Sequence, residues 1–439
     1  MQIILLSGGS GSRLWPLSND ARSKQFLRLF PDGTSMTQRV ATQLRDAMPE
    51  ARLTVATGVA QRDAVLSQLG NGTGIVTEPS RRNTFPAICL ACEYLWREGC
   101  SEDEVVVVVP CDPFTGDAFF NVVREMAEAV ARNAAPLMVM GIRPTYPSAK
   151  YGYVVPGKKR DGIYEVRRFA EKPTVPMAEK LIEEGGLWNA GVFAFRLGYA
   201  LTAGRKFVDG MTMADIRRNY DKYPSISFDY QVAEKEKSLG MLSYDGDWKD
   251  LGTWLTLTDE LPQHFYGHVL TDGHSKNTHV FNELDLPLLC LGTENLIIAA
   301  SPDGIIVSEK KRSENVKHFA NELKTRPMYE ERRWGTYRVI DRTQSAEGFC
   351  SLTKRLTLDP GCCISYQRHS CRDEVWTFVE GMGEFVLNGE RRPVQAGETI
   401  VIPKGALHAL RAITTLTFIE VQTGCNLVEE DIERFPYEW

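Results

Sequence analysis

The chain has 439 residues, more than the roughly 250–300 at which single hydrophobic cores stop growing, so at least two domains are expected. With 43% hydrophobic, 25% charged and 10% aromatic residues, the composition excludes disordered, collagen-like and disulfide-dense classes. A net charge of −6 argues against partners such as nucleic acid or an anionic membrane, so any anionic ligand must be held by a local group of cations.

Gln2 to Leu6 reads as the first strand, and the apolar run is too short and lacks the basic flank of a leader or membrane span, so a cytoplasmic location is expected. Arg52 to Thr57, Val105 to Val109 and Leu137 to Ile142 are further strands, and the valine run has the continuous apolar pattern of a strand buried on both faces. They alternate with helix-like stretches such as Ala87 to Arg97, which predicts βαβ units and a mainly parallel sheet. In such sheets ligands bind beyond the carboxyl ends of the strands, here the loops Ser7 to Arg13 and Pro110 to Pro113. Cys89 and Cys92 form the one C-x-x-C, with no second Cys or His pair nearby, and read as packed thiols.

Beyond Tyr266 the pattern changes. Asn295 to Ala300 and Ile305 to Ser308 read as strands around the turn Ser301-Pro302-Asp303-Gly304, and Glu309 to Lys324 as a charged, exposed helix. Arg326-Pro327 is a boundary. After Trp334 only strand signals follow, at Ser351 to Leu358, Val375 to Val379, Gly383 to Leu387, Thr399 to Ile402 and Leu416 to Val421, the spacing of a small barrel or jelly roll. All seven histidines lie at or after His264, so the first domain's chemistry uses none as base or ligand.

The loop Ser7-Gly8-Gly9-Ser10-Gly11-Ser12-Arg13 lets backbone N–H groups approach a phosphate closely. It is neither a dinucleotide fingerprint, because Leu14 stands where the third glycine belongs, nor a P-loop, because Gly8 meets Arg13-Leu14 where Gly-Lys is needed. Its continuation, Arg13-Leu14-Trp15-Pro16-Leu17 and then Lys24-Gln25-Phe26, resembles the G-G-x-G-x-R-L…K-Q signature of sugar-phosphate nucleotidyltransferases, in the form of the mannose-1-phosphate guanylyltransferase branch. Six more matches follow in order: Glu78-Pro79-Ser80-Arg81-Arg82-Asn83-Thr84, Val109-Pro110-Cys111-Asp112, Tyr151-Gly152-Tyr153, Phe169-Ala170-Glu171-Lys172-Pro173, Trp188-Asn189-Ala190-Gly191-Val192-Phe193 and Trp248-Lys249-Asp250-Leu251-Gly252-Thr253-Trp254.

The resemblance implies transfer of GMP from GTP to mannose 1-phosphate, chemistry that works through positioning and neutralisation of phosphate charge. It implies that Arg13 and Lys24 hold the triphosphate, Lys172 the sugar phosphate, and Asp112 with Asp250 one Mg²⁺, whose preference for hard oxygen donors suits carboxylates. Gly8, Gly9, Gly11, Ser12, Arg82, Asn83 and Thr84 would face the nucleotide, and Gly152, Glu171 and Asn189 the sugar. Phe85, Pro113 and the stretch Ser225 to Tyr230 depart from the branch's usual residues, which leaves another NTP or hexose 1-phosphate, or a binding protein without turnover, as alternatives.

Near the C-terminus, Gln367 and His369 point the same way on an extended strand, Glu374 follows, and His408 comes after Pro403-Lys404-Gly405. This resembles the cupin motif pair, in which Gln367, His369, Glu374 and His408 would coordinate Zn²⁺ or another divalent transition metal. The longer match from Arg333 to Ile432 resembles the cupin phosphomannose isomerase domain of bifunctional relatives, with Val375 in place of the His of E-H-W and with Arg434 to Trp439 in place of a closing Y-G-R, so isomerase activity stays open. The resemblance therefore implies a GT-A-like α/β domain with a Rossmann-like mixed sheet (1–262), a short left-handed β-helix-like linker (263–325) of the kind that supports homodimers in relatives, and an all-β cupin (326–439).

Overall fold

The computed structural model describes residues 1–9, 11–210, 212–323, 326–346 and 348–439. Ser10 of the glycine loop, and Lys324 and Thr325 at the ends of the predicted helix and linker, lie outside them. By its contacts the chain forms two units, one of residues 1–11 and 23–262, the other of 12–22 and 263–439. Among the described residues no helix is long and apolar enough to cross a membrane.

The first unit contains β1 (Gln2–Ser7), β2 (Arg52–Gly58), β3 (Gly74–Glu78), β4 (Val105–Pro110), β5 (Pro113–Thr115), β6 (Leu137–Ile142), β7 (Tyr153–Arg160), β8 (Ile163–Ala170), β9 (Leu187–Arg196), β10 (Leu239–Tyr244) and β11 (Trp248–Asp250). Nine of them form one sheet in the order β3-β2-β1-β4-β9-β6-β10-β8-β7, and β5 pairs with β11 apart from it. The period of two decides which face each side chain enters. Ile3, Leu5, Val107 and Val109 pack in the core under α1 (Met36–Ala47), α2 (Arg62–Leu69) and, later in the chain, Asp117–Ala131, while Ile4, Val106 and Val108 pack on the other side against the helix Thr84–Arg97. Cys89 and Cys92 lie in that second core, as buried thiols.

The sheet is mixed, as the nucleotidyltransferase resemblance implies, and not mainly parallel as the strand pattern alone suggests. Pairing is parallel among β3, β2, β1 and β4 and between β6 and β10, but β9 runs antiparallel to both β4 and β6, and β7 and β8 form an antiparallel pair at one edge. Apolar pattern marks a strand as buried but not its direction, which depends on partners distant in sequence.

In the second unit, β12 (Phe265–Tyr266), β13 (Val269–Thr271), β14 (His279–Asn282), β15 (Leu288–Cys290) and β16 (Leu296–Ser301) stack as parallel rungs, with Phe265 opposite Val280 and Val280 opposite Ile298; β17 (Gly304–Glu309) closes the stack antiparallel. The exposed helix predicted from Glu309 differs: Lys310–Asn315 is a 3-10 helix with Lys310 and Ser313 buried, and only Val316–Leu323 is α-helical. Residues 12–22 are tied to these rungs. Arg22 makes a paired ion bridge to Glu283 (2.8 Å and 2.9 Å), Ser301 Oγ donates to the Pro16 carbonyl (2.7 Å), and Asn19 Nδ2 donates to Asp303 (2.7 Å).

The rest is all β: β18 (Tyr329–Arg332), β19 (Gly335–Gln344), β20 (Cys350–Leu358), β21 (Cys363–Arg368), β22 (Arg372–Glu380), β23 (Met382–Leu387), β24 (Glu390–Gln395), β25 (Thr399–Ile402), β26 (His408–Ala412), β27 (Leu416–Gly424) and β28 (Glu433–Arg434). Two antiparallel sheets, β18-β19-β20-β27-β22-β25 and β24-β23-β26-β21-β28, enclose a core built on Trp376, Phe378, Phe385 and Phe418.

Candidate functional site

Three of the predicted catalytic residues meet where β1 and β4 end. Asp112 follows β4, and the β5–β11 pairing sets Asp250 directly opposite Pro113. Lys24 starts a 3-10 helix, Lys24–Phe26, pinned by buried Phe26 and by Gln25 Nε2 donating to the Ser7 carbonyl (3.1 Å). Its ammonium lies 2.7 Å from Asp112 Oδ2 and 3.4 Å from Asp250 Oδ1. Burial works against that charge, but the two carboxylates outweigh it and raise the lysine above its ordinary range. Two carboxylates converging on one cation fit a hard divalent cation such as Mg²⁺.

A second group forms the predicted sugar site. Asn189, on β9, donates its backbone N–H to the Gly152 carbonyl (2.8 Å) and its side-chain amide to Asp229 Oδ1 (2.6 Å). Glu171, just beyond β8, is in direct ionic contact with Lys172, whose backbone has φ +46°. A Cβ at position 152 would collide with Glu171 Oε2, so any side chain there would displace that carboxylate from its present position. Burial, then the neighbouring Asp229, raise the Glu171 carboxyl above its usual range, and Lys172 opposes them. Asp229 was not among the predicted site residues; Ser227 caps the short helix Phe228–Gln231 that delivers it.

Of the predicted nucleotide residues, Gly8, Gly9, Arg82, Asn83 and Thr84 line one pocket of about 240 Å³ with Glu78 and Gln61. That is smaller than the roughly 300–1,000 Å³ of sites for drug-sized ligands, as suits one part of a nucleotide. Asn83 takes φ +72° and caps the helix that follows by accepting from Thr84 N (2.9 Å). Arg82 Nε donates to the Tyr223 carbonyl (3.0 Å). Lys24 is not among the pocket's lining residues, and Ser12 and Arg13 lie on a 3-10 helix in the segment that groups with the second unit. Phe85 points away into the core, against Phe207, Tyr223 and Phe228. Glu78 is a lining residue that motif spacing left without a role, although an acidic residue ending a strand beside a glycine loop was a usable signal.

In the barrel, donor atoms of His369, Glu374 and His408 all lie within 4.8 Å of one another, and all three residues are buried. The strand β21 stops at Arg368, so His369 stands just past the strand on which it was expected. Each histidine is oriented through Nδ1, His369 to the Asp431 carbonyl (2.6 Å) and His408 to the Ala406 carbonyl (3.1 Å), which turns both Nε2 atoms inward, as second-shell contacts to metal-binding histidines do. Buried His408 Nε2 has no hydrogen-bond partner, and burial lowers both imidazoles, His408 to about 4, so they are neutral and able to ligate at pH 7. Gln367 places its amide nitrogen 3.3 Å from His369 Nε2, an orientation that ligation through oxygen would reverse. Arg372 Nε donates to Glu374 Oε1 (2.8 Å), so a metal would share that carboxylate with a buried guanidinium. Along β22, Arg372, Glu374 and Trp376 are buried on one face, whereas Val375 lies on the other, so its departure from E-H-W leaves the ligand cluster intact.

Residues 2–264 match the family described as nucleotidyl transferase, and residues 321–437 the one described as mannose-6-phosphate isomerase C-terminal. The chain is 33% identical to the xanthan biosynthesis protein XanB of Xanthomonas campestris, over 98% of this chain and 97% of that protein. It is 31% identical to a mannose-1-phosphate guanylyltransferase of Klebsiella pneumoniae, over 99% and 98%. A solved structure titled mannose-1-phosphate geranyltransferase, from Thermus thermophilus, is similar with 27% identity and a TM-score of 0.61, over 74% of this chain and all but 1% of that one.

Proposed function

Because the chain belongs to the mannose-1-phosphate guanylyltransferase family, as an enzyme that joins a nucleotidyl transferase region to an isomerase-type cupin, we propose that it makes GDP-mannose and pyrophosphate from GTP and mannose 1-phosphate. The observation that carries the reading is the convergence of Asp112 and Asp250 on Lys24. Asp112 and Asp250 would hold Mg²⁺, which when bound neutralises phosphate charge and aligns the reactants.

The chain's own groups then have distinct tasks. Glu171, Asn189 and Gly152 orient the sugar, and Lys172 draws its phosphate into place beside them. Lys24 and Arg13 balance the triphosphate's charge, with Gly8, Gly9, Gly11, Ser12, Arg82, Asn83 and Thr84 cradling the nucleotide. A sugar-phosphate oxygen attacks the α-phosphorus, the bond from that phosphorus to the bridging oxygen breaks, and pyrophosphate leaves with its electron pair. Pyrophosphate release from purified protein with Mg²⁺, mannose 1-phosphate and each of GTP, ATP, CTP and UTP tests this. Release with GTP supports it, release only with another nucleotide replaces the base, and binding without release supports a non-catalytic protein.

In the cupin, Gln367, His369, Glu374 and His408 would hold one divalent transition metal, Zn²⁺ among them, able to polarise a sugar carbonyl. We assign it interconversion of mannose 6-phosphate and fructose 6-phosphate, tested by a coupled assay before and after metal removal. A rate that stays at background in the metal-loaded enzyme leaves the barrel with a structural or regulatory role.

A further inference from the structure

One hairpin turn of the second unit holds the segment that carries Arg13 at three successive points. Ser301 pairs with Gly304 across the turn between β16 and β17. Gly304 (φ +150°) lies against the indole of Trp15, whose Cζ2 is 2.5 Å from where a Cβ at that glycine would stand. Ser301 Oγ accepts from the Asp303 N–H (3.1 Å) and donates to the Pro16 carbonyl. Asp303 Oδ2 accepts from Asn19 Nδ2, and its Oδ1 accepts from the backbone N–H of Met328 (2.5 Å), just ahead of β18. Burial raises the Asp303 carboxyl above its usual range, and these two donors oppose it. The amide of Asn19 is fixed in that orientation, because its Oδ1 accepts from the N–H groups of Ala21 (3.0 Å) and Arg22 (2.7 Å), which leaves Nδ2 for Asp303.

We infer that Asp303 is a positioning residue for nucleotidyl transfer: through Asn19 it fixes the segment that presents Ser12 and Arg13 to the triphosphate. It acts without touching a substrate, from a place 284 residues further along the chain than Asn19. Ser12 and Arg13 lie on the 3-10 helix Ser12–Leu14, and Trp15, Pro16 and Asn19 follow closely, so ties at 15–19 limit where that helix stands. Stabilising phosphate charge depends on cations already in place, and a displacement of about 1 Å that originates far from the chemistry can cost on the order of a hundredfold in rate. A carboxylate suits the task because it accepts from two donors at once. With Asn19 on one oxygen and Met328 on the other, it joins the segment to the start of the barrel as well.

The inference rests on the guanylyltransferase reading, and wild-type kinetics separate the two. Steady-state rates with GTP, mannose 1-phosphate and Mg²⁺ are measured on the full-length protein, on Asp303→Asn, on Asn19→Asp and on the double variant. Asp303→Asn keeps an acceptor for Met328 but sets one amide N–H₂ against another at Asn19, and Asn19→Asp keeps the acceptor for Ala21 and Arg22 but sets carboxylate against carboxylate. The double variant restores the pair with donor and acceptor exchanged. Each single variant raises KM for GTP at least fivefold while KM for mannose 1-phosphate stays within twofold, and the double variant returns KM for GTP to within twofold of the wild type. A contact that only stabilised the fold would lower the melting temperature and leave KM for GTP unchanged. Smaller rises in both single variants, or no recovery in the double, overturn the role of Asp303 while leaving guanylyl transfer intact. If the variants do not fold, hydrogen exchange of the wild type decides: saturating GTP and Mg²⁺ slow exchange in the peptides covering 12–22, 301–304 and Met328 alike, and protection confined to 12–22 overturns the inference. A wild type that turns over another nucleotide and not GTP overturns the guanylyltransferase reading alone, and the same variants are then compared with that nucleotide. No turnover with any nucleotide overturns both.

Discussion

At the scale of single residues, the first site is defined by charge held in opposition. Lys24 is held between two aspartates that arrive from different parts of the chain, and each of the three was legible because it stands in a motif of its own. If Asp112 and Asp250 hold the metal, Asp112→Asn and Asp250→Asn each lower kcat at least a hundredfold at saturating Mg²⁺, a loss in the range seen for preorganised electrostatic groups. A variant that keeps a tenth of the wild-type kcat removes that residue from the metal site. Glu78 and Asp229 were not legible in the same way. Glu78 ends a strand beside the glycine loop, a signal the sequence did carry, but neither that pattern nor the stretch around Asp229 shows that the carboxylate is held by a neighbour, which is seen only when Tyr220 and Asn189 are found pointing at them. Phe85 shows the reverse: a departure that looked like a change of specificity is a packing residue with no exposure.

At the scale of elements, short-range pattern located many of the strands, with Leu137–Ile142 and Thr399–Ile402 matching to the residue. It passed over others, β19, β21, β24 and β26 among them; Glu390–Gln395, for one, is mostly exposed and carries little apolar signal. The metal cluster depends on three strands from both sheets. β21 leads to His369, β22 carries Glu374, and β26 begins with His408, so the ligands meet only when the barrel is closed. His408→Ala should reduce bound transition metal from about one per chain to a small fraction of that, measured by elemental analysis, and lower the melting temperature of the metal-loaded protein. Equal metal content in both proteins would exclude His408 as a ligand. The closing segment matters here as well, since Asp431 accepts from His369 Nδ1 through its carbonyl and from Ser370 and Cys371 N–H through its carboxylate.

At the scale of the whole molecule, two sets of residues suited to two chemistries lie in two units, so treatment with a chelator followed by Mg²⁺ alone should abolish any isomerase rate and leave nucleotidyl transfer within twofold. Loss of both would show that the cupin metal supports the first site. The chain also interleaves its units: residues 12–22, which include part of the nucleotide signature, pack with 263–439 through the Arg22–Glu283 and Ser301–Pro16 contacts. A fragment ending at Pro262 therefore leaves that segment without its partners, and trypsin should cut at Arg13 or Arg22 many times faster than in the full chain. Equal cleavage rates would show that the segment is held by the first unit. This interleaving could not be read from a sequence whose motifs run unbroken across residues 8–26.

The central claim is the joining of GMP to mannose 1-phosphate, and the most direct measurement is quantification of both products by mass spectrometry after incubation with GTP, mannose 1-phosphate and Mg²⁺. The account predicts GDP-mannose and pyrophosphate in a one-to-one ratio, with neither formed when mannose 1-phosphate is left out. Release of phosphate or pyrophosphate without a sugar nucleotide, or no turnover of GTP in the folded protein, would contradict it.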